Sequence, residues 1–351
     1  MKRINKIALL LSVLACFLPG CNKDTKEILP NGDPVTLNVA PVSLWNFQPA
    51  ALTSRAAGAV NGWYNTPVHI AYGEDASLNY AIVLDGYVHN NITTFSPLLF
   101  YPTSGNIFLR GFYPRAEGLI DTYYKGKTSG GIVGNNISYT IDGSYDIMVS
   151  NEVSGSVSSP IAAYMYYSHL LTQLSFVLYS DGSFPSSARV KRIILNDVLT
   201  VVDLDLTKSY NPTTFANYPL SFSGAPTTIT ISLPGIGAAV TAVEGVGVKP
   251  AAVGFVMFEP GGETGSGGGG SVDDFISIVI DMTDVDGLLP SDRIEKEYKV
   301  TGLSFDGGTT KPGYHYEIAL TFNAFTTIPT VSAAPTVVTP PSPVWPTTSY
   351  W

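Results

Sequence analysis

The sequence predicts an all-β fold built as β-sandwiches, and three observations predict it. Short runs rich in Val, Ile, Thr, Tyr and Phe alternate apolar with polar positions, the period of a half-buried strand. Gly, Pro, Asn and Asp punctuate these runs at turn-like intervals. No long segment carries a convincing helical period. At 351 residues, two domains are expected, and a chain of this size can bury roughly three quarters of its unfolded surface. Packing has to supply the stability. Charged residues are only 13% of the chain, against a typical value of about 25%. Both cysteines, Cys16 and Cys21, fall in the leading segment, so the body has no disulfide and no cysteine metal site.

The elements follow in order. Residues 1–20 read as a lipoprotein signal peptide: Lys2, Arg3 and Lys6, then an apolar run from Ile7 to Leu18 that is too short to span a bilayer. Leu18-Pro19-Gly20-Cys21 is similar to a bacterial lipobox, which makes Cys21 the lipidated residue and the outer membrane a partner through that anchor. Cys16, after Val13-Leu14-Ala15, is the rival site; choosing it would cut the apolar run short. Loss of residues 1–20 removes three positive charges and no negative ones, taking the formal charge from −9 to −12. An acidic body without a basic cluster argues against nucleic acid as a partner. Residues 21–34 form a polar tether. An N-terminal sandwich is expected over 35–160 and a C-terminal one over 161–325. Val35–Val39, Ile107–Tyr113 and Leu174–Tyr179 are clear strands, as are Thr228–Leu233, Phe275–Ile280 and Tyr314–Phe322. Tyr164–Leu171 fits a turn or two of helix or a strand. The run Gly261–Gly270 reads as a flexible hairpin connection. Residues 326–351 form an uncharged, proline-rich tail that keeps apolar residues at Ile328, Val331, Val337 and Val338. Such a tail suits an edge strand or an extended docked segment, because each proline removes a ladder donor.

Chemistry is sparse. His69, His89, His169 and His315 lack metal-ligand spacing. No Gly-x-Ser-x-Gly elbow appears, and the glycine run at 265–270 lacks the Lys-Ser/Thr ending of a phosphate loop. Across Asp281–Gly287 an EF-hand register places Met282 and Arg293 where ligands are required, so only a looser surface calcium site survives. Asp203, Asp205, Asp273 and Asp274 read as turns and solvated faces. Tyr123-Tyr124 and Tyr164-Met165-Tyr166-Tyr167 either pack or stack on sugars. No catalytic residue, metal or cofactor is expected.

Several segments, in order, resemble the fimbrillin superfamily, the type V pilus subunits of Gram-negative oral and gut anaerobes. After the lipobox come the strand Val35–Val39, Thr53-Ser54-Arg55-Ala56-Ala57, Trp63, and Pro67–Tyr72. Phe108-Leu109-Arg110-Gly111-Phe112-Tyr113-Pro114 ends in an aromatic-aromatic-Pro turn. Asp146-Ile147-Met148-Val149, Ser168–Phe176 and Lys311–Phe322 complete the pattern, which covers residues 18 to about 325.

The resemblance implies two tandem transthyretin-like antiparallel sandwiches and a structural or adhesive pilus subunit acting without catalysis. It implies maturation by an arginine-directed surface protease cutting between Arg55 and Ala56, which releases the strand carrying Val35, Leu37 and Val39. The exposed edge would then accept a strand from another pilus subunit, with the tail around Ile328, Val331, Val337 and Val338 as the donor candidate. A host or bacterial surface ligand is the remaining partner. Read without the resemblance, Arg55 is a loop arginine, and the alternative function is a monomeric, surface-anchored glycan-binding lipoprotein.

Overall fold

A computed structural model describes residues 34–41, 63–74, 77–80, 82–95, 98–114, 135–144, 146–243, 245–261, 275–286, 288–289, 293–301, 303, 305, 309–323 and, for the backbone, 330–338. Among these residues there is no α-helix. The strands in chain order are β1 (Leu37–Asn38), β2 (Tyr64–Gly73), β3 (Ile82–His89), β4 (Ile92–Phe95), β5 (Ile107–Tyr113) and β6 (Asn136–Thr140). They continue with β7 (Met148–Gly155), β8 (Tyr167–His169), β9 (Thr172–Ser180), β10 (Arg189–Val198), β11 (Val201–Asp205) and β12 (Leu220–Ser223). The last six are β13 (Thr227–Ser232), β14 (Gly254–Phe258), β15 (Ile276–Asp281), β16 (Glu295–Thr301), β17 (His315–Asn323) and β18 (Thr330–Val338). Cys16, Cys21, Arg55, Ala56, Ile328 and Tyr123-Tyr124 lie outside the described residues.

The first sheet has seven strands in the order β1-β4-β3-β2-β5-β7-β8. It curls on itself. Met165, two residues before β8, makes a parallel bridge to Val39, one residue after β1, so the first and last strands meet. Val68, Ile70, Tyr72, Ile107, Leu109 and Met148 line the inside of this ring with Leu37 and Val39. The alternate residues of the same strands face outward. Ala71, Phe112 and Val149 meet a three-stranded sheet ordered β12-β11-β6, whose Ile137, Tyr139, Val202 and Leu204 close a second core. Period-two patterning accounts for both: β6 and β11 alternate buried and open positions along their whole length. β3 and β4 are joined by Asn90 and Asn91, whose φ values of 48° and 62° suit a two-residue hairpin, and asparagine tolerates that region.

The second sheet has eight strands ordered β13-β10-β15-β16-β18-β17-β9-β14. Its two ends fold towards each other around one core, to which β9 sends Leu174, Phe176 and Leu178, β15 sends Ile276, Ile278 and Ile280, and β17 sends Tyr316, Ile318, Leu320 and Phe322. Pairing is antiparallel except for β9 with β17 and β16 with β18.

Three expectations change. Sheet membership crosses the 160/161 line, because β8 belongs to the first sheet and β11 pairs with β6. The glycine-rich connection does not join a hairpin: β14 pairs with β9 at one end of the sheet, while β15 pairs with β10 and β16. The described part of the tail is not an edge strand. β18 lies between β17 and β16, paired along all nine of its residues with β17. Proline is tolerated there because β16 pairs only with Val331 and Ser332. Pro335 lies beyond that contact, where its missing N–H interrupts no β16 ladder. Tyr164–Leu171 resolves as strand, with β8 in its centre.

Candidate functional site

Of the residues singled out at the leading end, Val35, Leu37 and Val39 share one structural feature. β1 is a stave of the ring rather than a flap on its rim. On one side Leu37 pairs with Thr93 and Asn38 with Ile92 of β4. The ladder extends beyond the strand: Val35 N–H donates to the Leu99 carbonyl at 2.8 Å, and Val39 N–H to the Asn91 carbonyl at 2.8 Å. On the other side Met165 N–H donates to the Asn38 carbonyl at 2.8 Å, and Ala40 N–H donates to the Met165 carbonyl at 2.9 Å. Val35, Leu37 and Val39 all point inward, at 4%, 0% and 0% exposure. Their burial is worth on the order of 4.5–9 kcal/mol in total, taking about 1.5–3 kcal/mol for each aliphatic side chain.

The wall opposite β4 is held by a side chain. Asn151 on β7 accepts the Tyr166 N–H at 2.6 Å through its amide oxygen and donates to the Tyr164 carbonyl at 3.2 Å. This bracket fixes residues 164–166, so Met165 presents its backbone groups to the leading segment. Met165 and Tyr167 are core residues, whereas Tyr164 is half exposed. The Tyr164 and Tyr166 rings lie 6.4 Å apart at 45° to one another. The four-residue aromatic run therefore divides between the ring interior and the surface.

The end of the leading segment and the start of β2 meet. The Trp63 indole N–H donates to the Ala40 carbonyl at 3.0 Å. Residues 42–62, which contain Arg55 and Ala56, thus connect two points that touch. A break anywhere in that connection would leave residues 34–41 held only by hydrogen bonds and side-chain burial. Their departure would then leave two unpaired edges, one on β4 and one at Met165, with three apolar sockets between them.

The donor candidate is placed differently. Val331 pairs with Phe322 and with Val300, Val337 with Tyr316, and Val338 with His315. These positions already complete their own sheet.

The polar groups elsewhere are structural in geometry. Arg110 is buried and ties the two layers of the first half together: its Nε donates to the Ser150 carbonyl at 2.9 Å, and its two terminal nitrogens to the Leu206 and Lys208 carbonyls at 2.5 and 2.7 Å. Glu152 beside it accepts from Ser77 Oγ, Leu78 N–H and the Tyr80 hydroxyl at 2.6, 2.7 and 2.6 Å. Burial drives the Tyr80 phenol pKa upward and lowers that of the Arg110 guanidinium. His169 Nδ1 lies 2.5 Å from a buried Asp146 oxygen. His69 stacks on Phe112 and lies 3.4 Å from Asp85. His315 Nε2 lies 2.7 Å from Ser175 Oγ, and burial, with Lys249 adding, pushes its pKa down to about 4. Asp281 accepts from the Thr283 N–H and hydroxyl, which holds its carboxyl below the usual range. Among the described residues no group of three His, Cys, Asp or Glu is arranged to hold a metal ion.

Sequence reasoning named the leading strand, Trp63 and the run containing Met165, but not the contacts that join them. The Tyr-Met-Tyr-Tyr alternation that puts Met165 and Tyr167 inward was the available signal; the Trp63–Ala40 contact left none.

The fold has known counterparts. It is similar to a solved Bacteroides uniformis structure described as a proposed cell adhesion protein, with a TM-score of 0.50 and 13% identity over 88% of this chain and 100% of that one. A fimbrial protein from Bacteroides vulgatus aligns at a TM-score of 0.47 and 13% identity, over 88% of this chain and 100% of that one. A fimbrilin from Porphyromonas gingivalis aligns at 0.44 and 10%, over 87% and 96%. No family model and no curated protein matches the sequence. At these identities the likeness is one of fold.

Proposed function

We propose that this chain is a structural or adhesive subunit of a cell-surface fimbria, and that subunits join when the leading segment of one is replaced by a strand from another. The observation that carries this reading is the double-sided pairing of β1 together with the contact between Ala40 and Trp63. A strand that fills a slot, and whose covalent link can be cut without disturbing either end, is built for replacement. Main-chain bonds to β4 and Met165 would give the incoming strand its affinity. The sockets of Val35, Leu37 and Val39 would give it specificity. The shared fold with a proposed cell adhesion protein supports the same reading.

The finer steps belong to this proposal. Acylation at Cys21 anchors the exported chain to the outer membrane at the cell surface. An arginine-directed protease cuts between Arg55 and Ala56. No catalytic group or cofactor takes part, and the partners are other subunits and a surface ligand.

Limited trypsin digestion tests the reading directly. Cleavage after Arg55 is expected to release the leading peptide and convert the monomer to oligomers on size-exclusion chromatography. A body that is cut there and remains monomeric overturns it.

A further inference from the structure

At the end nearest the connection to be cut, the leading segment is tied by a side chain as well as by main-chain bonds. Ala40 uses both of its backbone groups: its N–H goes to the Met165 carbonyl, and its carbonyl accepts from Trp63. The indole that makes this bond is itself fixed. Trp63 is 4% exposed, and its ring meets the Tyr167 ring edge-on, with centroids 4.9 Å apart at 62°. Tyr167 in turn lies over Gly111 of β5, where an added Cβ would fall 1.9 Å from the Tyr167 hydroxyl. The stack Gly111–Tyr167–Trp63 therefore aims one buried donor at one place on the leading strand.

We infer that Trp63 is a latch and gauge for whichever strand occupies this slot. The inference rests on the strand-exchange reading above. Trp63 lies after the connection, so it remains with the body when the leading segment departs. Its N–H then faces the open slot and water, and a strand that buries it again without a carbonyl opposite leaves an unpaired donor, which is costly. A replacement strand restores the bond only if it extends far enough to present a main-chain carbonyl where Ala40 now does. A strand that stops at the position of Val39 fills all three apolar sockets and still leaves the indole unsatisfied. Trp63 thus slows departure of the native segment and discriminates against short replacements.

The test uses the full-length chain with a site-specific protease sequence substituted across residues 53–57, so that scission is certain. Release of the leading fragment is timed by size-exclusion chromatography and intact mass. In Trp63→Phe, which keeps a ring against Tyr167 but removes the donor, the fragment is expected to leave about fivefold faster than from the parent, as for loss of one net hydrogen bond. Equal rates overturn the latch. A second measurement leaves the body unaltered: after release, a peptide spanning Pro34–Pro41 is expected to bind about fivefold more tightly than one ending in a Val39 amide. Equal affinities also overturn the latch. If the fragment leaves neither protein and no oligomer forms, the strand-exchange reading itself fails, a result distinct from either of these.

Discussion

The leading strand and the trailing strand each complete a sheet, but they are secured in opposite ways. β1 and its flanks hold on by a few hydrogen bonds on two sides and by three apolar side chains, while the return connection of residues 42–62 adds no reach because its ends already touch. β18 holds on through a nine-residue antiparallel ladder with β17 and a contact with β16, and only residues 324–329 separate it from β17. A long ladder with a short connection is costly to open; a short ladder relying on side-chain sockets is easily copied by another strand. Under the strand-exchange proposal, the difference favours one end of the molecule for exchange. It is the leading one.

The comparison can be broken most severely from the trailing side. Truncation before Thr330 strips β17 and β16 of a shared neighbour. With about 0.5–1.5 kcal/mol for each ladder bond lost, the cost approaches the 5–15 kcal/mol that holds a typical domain folded. The second sandwich should lose its cooperative unfolding transition; a retained transition in thermal denaturation would show β18 to be as dispensable as β1. Next in size, Leu37→Ala should cost about 3 kcal/mol, the usual effect of emptying a fully buried leucine site. In urea unfolding the loss should appear first in the transition of the leading ring, and equal loss throughout would show that the two halves unfold as one.

Acid should sharpen the contrast from the other direction. His315 faces Val338 across the β17–β18 ladder. Its pKa is about 4 in the fold and about 6.5 when unfolded. Between these values the unfolded chain binds more protons, so stability falls as pH drops from 6.5 towards 4, by up to about 3 kcal/mol. Urea midpoints at pH 7.5 and pH 4.5 measure this, and His315→Gln should flatten the dependence. An unchanged slope in that variant would assign the effect elsewhere. The smallest effect is expected at Asn91, where Ala substitution should cost about 1 kcal/mol for a left-handed residue. Because the Asn91 carbonyl accepts from Val39, the same change should loosen the leading segment while leaving the second sandwich untouched.

Much of the architecture was legible in local patterning. The alternation of Tyr316, Ile318, Leu320 and Phe322 reads directly as a strand with one face in a core, and Val35–Val39 reads as a strand from its period alone. What local patterning does not encode is which strands become neighbours. Nothing near Gly261–Gly270 says that the flanking strands end up apart, because that depends on β9 and β10. The tail's prolines argued for an edge, and only the short reach of β16 makes an interior position compatible with Pro335. In the candidate site, the sockets could be read because burial leaves a periodic trace. The indole bond from Trp63 to Ala40 could not, since a single long-range donor leaves no period.

The parallel pairing of β9 with β17 also has a consequence in time. β9 is made early, but its neighbour at residues 315–323 comes from the far end of the chain. Pairs so distant in sequence form slowly. The ring can close once residue 169 has emerged, whereas the second sandwich waits for residues 315–338. A chain still being synthesised would therefore carry a closed ring and an open, apolar remainder. That interval is when a chaperone would be needed, and when aggregation would begin.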